Sequence, residues 1–84
     1  TNPLSTNETI MARIEIESEV TGNVWKIEKQ VGDRLEAEDV IMILESMKME
    51  IPVETPSAGT LVEILVKEED QVDEDQIVAI VESD

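Results

Sequence analysis

Hydrophobic and polar residues alternate along most of the chain, which is the pattern of half-buried β-strands. The segment "RIEIES" (13–18) places isoleucine at every second position between polar residues, a period that strands have and helices do not. The segment "VWKIEK" (24–29) alternates in the same way, so that Trp25 and Ile27 should share the core-facing side of one strand. The pattern therefore predicts an all-β protein without helices.

Two short runs, "VIMIL" (40–44) and "IVAIV" (77–81), are apolar throughout. Continuous apolar runs are expected of strands that are covered on both faces. With the alternating segments they give about six clear strands, to which short strands near Leu35 and Val72 are added. Pro52 lies inside a predicted strand, and because proline lacks the N–H that a strand donates to its neighbour, we expect that strand at a sheet edge.

The chain contains an internal repeat with an offset of 37 residues, which aligns Gly22 with Gly59. Residues 12–47 match residues 49–84 without a gap, and Lys48 is the residue left between the two copies. Alternation alone would make any two strand-rich segments match in part. The alignment also matches an aspartate and a Glu-Ser pair, however, which favours a true duplication.

Two equivalent halves of four strands each predict a compact sandwich or flattened barrel with a pseudo-two-fold axis. The rotation should place Trp25 on Val62 and Ile27 on Ile64, with all four side chains turned towards the core. It should also place Lys48 at one pole of the domain and the chain ends, near Ala12 and Asp84, at the other.

The charge is strongly negative, with 21 acidic and 6 basic residues and a formal net charge of -15. Nucleic acids and anionic membrane surfaces would repel such a chain, so neither is expected as a partner. Cysteine and histidine are absent, which excludes disulfides, thiol chemistry and the commonest metal ligand. The apolar runs are too short to span a bilayer and no signal peptide is visible, so we expect a monomeric domain in the cytoplasm.

Residues 1–10 are polar and without pattern, and we expect them to form a disordered N-terminal extension or tag. Residues 11–84 make one small domain. The acidic segment "DQVDED" (70–75) suggests a calcium site, but it lacks the glycine and the spaced glutamate of an EF-hand loop. It also aligns with "DRLEAE" (33–38), as one tight turn made twice, so no metal site is predicted.

Lys48 differs from the other three lysines, which occupy polar positions where a lysine need only serve solubility. It stands between Met47 and Met49, at the connection between two predicted strands. Two-residue strand connections normally carry glycine, asparagine or aspartate, because they require positive φ. Residues that break a local rule without visible compensation often mark a functional site. We therefore expect an exposed amine on a hairpin tip, suited to modification by another enzyme, and no catalytic residue.

The stretch "ESMKM" (45–49) resembles the biotin attachment motif of biotinyl domains, the biotin carboxyl carrier proteins of acyl-CoA and pyruvate carboxylases. The resemblance covers residues 11–84 and includes "VGD" (31–33) and "AGTLVEILV" (58–66). It is greatest to the short, stand-alone biotin/lipoyl attachment proteins. The resemblance implies a barrel-sandwich hybrid fold of two four-stranded halves, with Lys48 on the hairpin between them.

By this resemblance, a biotin protein ligase joins biotin to Lys48 through an amide, with Met47 and Met49 as the flanking motif. The resemblance further implies a covalent carrier that is not an enzyme by itself. It would shuttle carboxybiotin between the biotin carboxylase and carboxyltransferase sites of a biotin-dependent carboxylase, whose subunits or domains are its partners. Glu45 matches the family's glutamate and is a candidate ligase contact; alternatively it is a strand-end acid, repeated at Glu82. The sequence does not specify the acyl acceptor.

Two alternatives stay open. A lipoyl carrier domain of a 2-oxoacid dehydrogenase-type complex has the same fold and a modified hairpin lysine, but that lysine usually follows aspartate and precedes alanine, so the methionines here favour biotin. A non-carrier adaptor of this fold would have its lysine hairpin split by an insertion, which this chain lacks. One departure from the family is Glu69, which stands where glycine is usual and aligns with Gly32. If that turn needs a positive φ, Glu69 is strained.

Overall fold

A computed structural model describes residues 12–83, which form eight β-strands and no helix. Accordingly, the described part of the chain contains no helix long and apolar enough to cross a membrane. The expected disordered extension, residues 1–10, lies outside the described residues. The strands are β1 (Arg13–Glu17), β2 (Gly22–Ile27), β3 (Arg34–Leu35), β4 (Val40–Ser46), β5 (Met49–Glu54), β6 (Gly59–Ile64), β7 (Gln71–Val72) and β8 (Ile77–Ser83).

The strands form two antiparallel four-stranded sheets, with the orders β1-β8-β6-β3 and β5-β4-β2-β7. Each sheet takes two strands from each copy of the repeat, so the sheets and the sequence copies do not coincide. Every connection crosses from one sheet to the other except that between β4 and β5, which is the single hairpin among the described strands. The all-β sandwich of two four-stranded halves is confirmed, and Pro52 lies on β5, an edge strand, as predicted.

The backbone hydrogen bonds confirm the pseudo-two-fold, because they recur with the same offset of 37 residues. The N–H of Ser18 donates to the carbonyl of Gln76 at 2.8 Å, and the N–H of Thr55 donates to the carbonyl of Asp39 at 3.0 Å. The two buried hydroxyls are equivalent as well. Ser18 Oγ donates to the carbonyl of Val20, and Thr55 Oγ1 donates to the carbonyl of Ser57.

The prediction for Trp25 is wrong, because a β-bulge interrupts the alternation at this residue. The register against β4 shifts between Val24 and Lys26, which leaves Trp25 as the extra residue. Val24 is 1% exposed and fills the core, whereas Trp25 is 51% exposed. The equivalent bulge against β8 has Val62 as its extra residue, so the expected superposition holds. The expected inward orientation fails for both residues, since Val62 is only half-buried and is not part of the core. The prediction assumed that side chains alternate strictly between the two faces of the strand. A bulge inserts one extra residue into the strand, so the alternation is broken at that residue.

The core is aliphatic and lies between the two sheets. It includes the short strands, since Leu35 of β3 and Val72 of β7 are fully buried. Valine, leucine and isoleucine fill most of the remaining space, and Ile27 and Ile64 pack against the margin of the core. The outward Trp25 leaves the core without any aromatic side chain, because the chain has no phenylalanine or tyrosine.

The hairpin and the described chain ends lie at opposite poles. The N–H of Ser83 donates to the carbonyl of Ala12, which fixes both ends of the described chain at the C-terminal end of β8. Ser46, at the base of the hairpin, donates through Oγ to the carbonyl of Thr21. Thr21 lies in the connection that follows Glu17 and Ser18, and these two residues pair with Ile77 and Gln76 at the start of β8. The seven-residue β8 spans about 20 Å between these poles. Asp84, the other terminus of the prediction, lies outside the described residues.

Candidate functional site

Lys48 lies in a two-residue turn between β4 and β5. Ser46 and Met49 are the last paired residues, and the two residues between them take positive φ, 53° at Met47 and 67° at Lys48. Positive φ at both central residues defines a type I′ turn, which matches the twist of the strands but disfavours residues that carry a Cβ. The strained turn predicted from the sequence is therefore present.

The side chains of the turn are open to solvent. Met47 is 91% exposed, Met49 is 63% exposed, and Lys48 is exposed as well. Within residues 12–83 the Lys48 amine forms no ion pair and no hydrogen bond. An amine that is exposed and unpaired in this way fits covalent attachment through an amide, because no interaction of the folded domain has to be broken first.

Gly22 supports the base of the hairpin and was noted in the sequence only as a repeated glycine. A Cβ on Gly22 would lie 3.2 Å from the Cβ of Ser46 and would also press against the carbonyl of Glu45. Only a residue without a side chain lets the end of β4 approach this closely. The Oγ of Ser46 then donates to the carbonyl of Thr21 at 2.9 Å, which ties the hairpin base to the neighbouring connection.

Glu45, the candidate ligase contact, is exposed one residue before Ser46. Its cross-strand partner is Glu50 on β5, a residue that the sequence reasoning did not single out. The two carboxylates lie directly opposite each other at the base of the hairpin. Like charges in such a pair are destabilising, and only the register of β4 against β5 reveals the pairing.

The lysine is not part of an enclosed pocket. A cleft of about 570 Å³ opens beside β5, but its lining lies away from the turn and includes Leu44, Ile51 and Thr55. The described residues contain no cluster of acidic side chains arranged to hold a metal ion.

Comparison with known proteins identifies the family. The family model described as "Biotin-requiring enzyme", which covers biotin and lipoyl domains, matches residues 9–81. The chain belongs to this family. The resemblance stated from the motif is confirmed, as is biotin as the cofactor of the class, and the class is that of biotin carrier domains.

Three similar proteins differ in how much of their own length the match covers. The biotin/lipoyl attachment protein of Bacillus subtilis (strain 168) is 41% identical over 59 residues, which covers 70% of this chain and 81% of that protein. The crystal structure of Kluyveromyces lactis urea carboxylase matches with a TM-score of 0.80 and 37% identity, and the match covers 83% of this chain and 6% of that chain. The dihydrolipoyllysine-residue acetyltransferase component of the pyruvate dehydrogenase complex of Corynebacterium glutamicum (strain ATCC 13032) is 35% identical over 63 residues, 75% of this chain and 9% of that protein.

These proportions separate two kinds of relative. The chain spans most of the short attachment protein but only a small part of the urea carboxylase and of the acetyltransferase component. The family and the fold are therefore shared, whereas the reactions of the large proteins are not properties of this chain alone.

Proposed function

We propose that Lys48 is the residue to which biotin is attached, through an amide with its Nζ amine. The observation that carries the proposal is the position of this lysine in the type I′ turn, where it is exposed and unpaired within the described residues. The turn lies at the pole opposite Ala12 and Ser83, so a modifying enzyme can approach it without disturbing the sheets.

The chain acts as a carrier and not as an enzyme by itself. When bound, biotin supplies a ureido nitrogen that takes up a carboxyl group at one site and gives it up at another. The protein positions the attachment point: the turn fixes the Cα of Lys48, and the extended side chain adds a reach of about 6 Å. Lysine and the valeryl chain of biotin together would reach about 14 Å. Because this is still short beside most distances between two active sites, the whole domain has to move between its partners.

The partners that we propose are a biotin protein ligase and the biotin carboxylase and carboxyltransferase parts of a cytoplasmic biotin-dependent carboxylase. Met47 and Met49 support contact with several different surfaces, since an exposed, unbranched methionine adapts its shape to what it touches. The net charge of -15 favours docking on basic surfaces and keeps separate copies of the domain apart.

The proposal is tested by intact mass after co-expression with a biotin protein ligase. The wild type should gain one biotinoyl group, and Lys48→Arg should gain none while keeping its circular dichroism spectrum. Lys26, Lys29 and Lys67 are the internal controls, because they lie outside the turn. Biotin on the Lys48→Arg variant would show that the attachment site is misassigned.

A lipoyl carrier is the second candidate, and the similarity to the acetyltransferase component favours it. Both kinds of carrier use a hairpin lysine, so the fold does not separate them. The methionines on both sides of Lys48 support biotin. Parallel incubations with a biotin protein ligase and a lipoate ligase distinguish the two, and a wild type that accepts lipoate but refuses biotin would contradict the biotin assignment.

A further inference from the structure

The sheet that carries the lysine hairpin has an apolar patch on its outer face. Trp25, the only aromatic residue of the chain, is turned away from the core by the β2 bulge. Ile43 on β4 is paired with Pro52 on β5 and, on its other side, with Lys26 on β2, whose exposed side chain borders the patch. Ile43 points outwards, because Met42 and Leu44 on either side of it are fully buried. A small domain whose core lacks aromatic residues thus leaves its one tryptophan at the surface.

The other sheet provides an internal comparison, because the repeat gives each position a counterpart. Val62 occupies the equivalent bulge, Ile80 the position of Ile43, and Glu15 the position of Pro52. Ile80 is only 9% exposed, whereas Ile43 is half-buried. Among these equivalent positions of the described residues, the exposed tryptophan and the more open isoleucine belong to the lysine-bearing sheet, whereas the other sheet has Val62, the buried Ile80 and the charged Glu15.

A second difference concerns the residues between the patch and the hairpin. Glu45 and Glu50 face each other there as like charges. Their counterparts on the other sheet, Glu82 and Arg13, have opposite charges, and Arg13 also forms an ion pair with Glu63 at 3.8 Å. Near the lysine, two carboxylates thus occupy positions where the other sheet has one carboxylate and one cation. A basic group of a partner would relieve their repulsion.

We propose that the outer face of the β2, β4 and β5 strands, defined by Trp25, Ile43, Pro52, Glu45 and Glu50 and called the tryptophan face, is the surface on which the biotin-attaching ligase docks. The inference rests on the proposed function of the hairpin lysine. The fitting partner surface has an apolar recess for the indole ring and basic side chains opposite the two glutamates, on the side nearer the hairpin.

The reach of the unmodified lysine favours the ligase over a carboxylase site as the occupant. The side chain alone extends about 6 Å, so the active site of the ligase must come directly against the hairpin. An interface of about 800 Å² per partner has a radius of about 16 Å. Trp25 lies three positions along β2 from Gly22 at the hairpin base, about 10 Å away, and falls inside that radius. A second copy of the chain is disfavoured, because two domains of charge -15 repel each other.

The test is the kinetics of biotin attachment by a purified biotin protein ligase, with the unmodified full chain as substrate. Trp25→Val is the informative variant, because Val62 already occupies the same bulge in the other sheet. We expect the KM for the carrier to rise about five- to tenfold, as on truncation of an interface residue that contributes to docking without being a hot spot. The kcat should change by less than about twofold, because the tryptophan stabilises docking and does not touch the reacting amine.

Val31→Ala is the matched control, since Val31 is 59% exposed and lies outside the tryptophan face. This variant should keep the KM of the wild type. The single indole of the chain gives a second readout. In the ¹⁵N-labelled carrier its N–H resonance should shift or broaden when unlabelled ligase is added.

The outcomes separate the docking proposal from the proposed function. A KM for Trp25→Val equal to that of the wild type, or an indole resonance that is unchanged at saturating ligase, overturns the docking proposal and leaves attachment at Lys48 intact. Normal biotin attachment combined with impaired carboxyl transfer would assign the face to a carboxylase site and would also overturn it. A wild-type chain that takes no biotin from the ligase would refute the proposed function, and the docking proposal with it.

Discussion

Replacing the residues of the β4–β5 turn by the pair that such turns prefer should stabilise the domain and remove the lysine that we propose as its attachment site. The change is Met47→Asn together with Lys48→Gly. Both native residues have positive φ, at 53° and 67°, and the left-handed conformation costs a residue with a Cβ about 1 kcal/mol or more. Asparagine and glycine take this conformation readily.

The expected gain is smaller than the full relief of strain. The left-handed conformation of the two native residues costs about 2 kcal/mol of folding free energy. Introducing a glycine offsets about 0.5–1 kcal/mol of the relief, because glycine increases the conformational entropy of the unfolded chain. The exposed side chains of the turn contribute little packing that would be lost. The free energy of unfolding should therefore rise by about 1 kcal/mol, which for a domain of this size raises Tm by about 4–8 °C.

Thermal and urea denaturation followed by circular dichroism measure this change. Lys48→Arg serves as the control, because it removes the proposed attachment residue and leaves both positive-φ positions occupied by residues with a Cβ. Its Tm should equal that of the wild type. An Asn-Gly variant that is no more stable than the wild type would show that Met47 and Lys48 are not strained in the turn. It would refute the hypothesis that the domain keeps a strained turn in order to expose a lysine.

Two further predictions concern the repeat. Glu69→Gly should raise the free energy of unfolding, measured by urea denaturation, by about 0.5–1 kcal/mol. The reason is that Glu69 has a φ of 77°, in the left-handed region that its counterpart Gly32 occupies with a φ of 99°. A destabilised variant would mean that contacts of the glutamate side chain outweigh the cost of its positive φ. Ser18→Ala should lower the free energy of unfolding by about 1–3 kcal/mol, because the buried hydroxyl donates to the carbonyl of Val20 at 2.5 Å, and a loss much smaller than this, measured in the same assay, would show that solvent replaces the bond.

The positive φ of Glu69 also bears on what the alignment of the two copies could predict. The aligned glycine, Gly32, indicated that the turn needs a left-handed residue, and the structure confirms that Glu69 adopts it. This inference succeeded because the same backbone turn is built twice from local hydrogen bonds. The N–H of Gln30 donates to the carboxylate of Asp33 in one copy, and that of Lys67 to the carboxylate of Asp70 in the other.

The sequence by itself determined the strands, the duplication and the hairpin that presents Lys48, because these depend on residues that are close along the chain or repeated at a fixed offset. The tertiary structure alone decided which strands share a sheet, and it turned Trp25 outwards. It also brought Glu45 opposite Glu50. A bulge arises from the register of one strand against a distant partner, and the period of a single strand carries no information about that register. The composition of the outer face of the lysine-bearing sheet is therefore decided by pairing between distant strands, whereas the position of Lys48 is decided by the local turn.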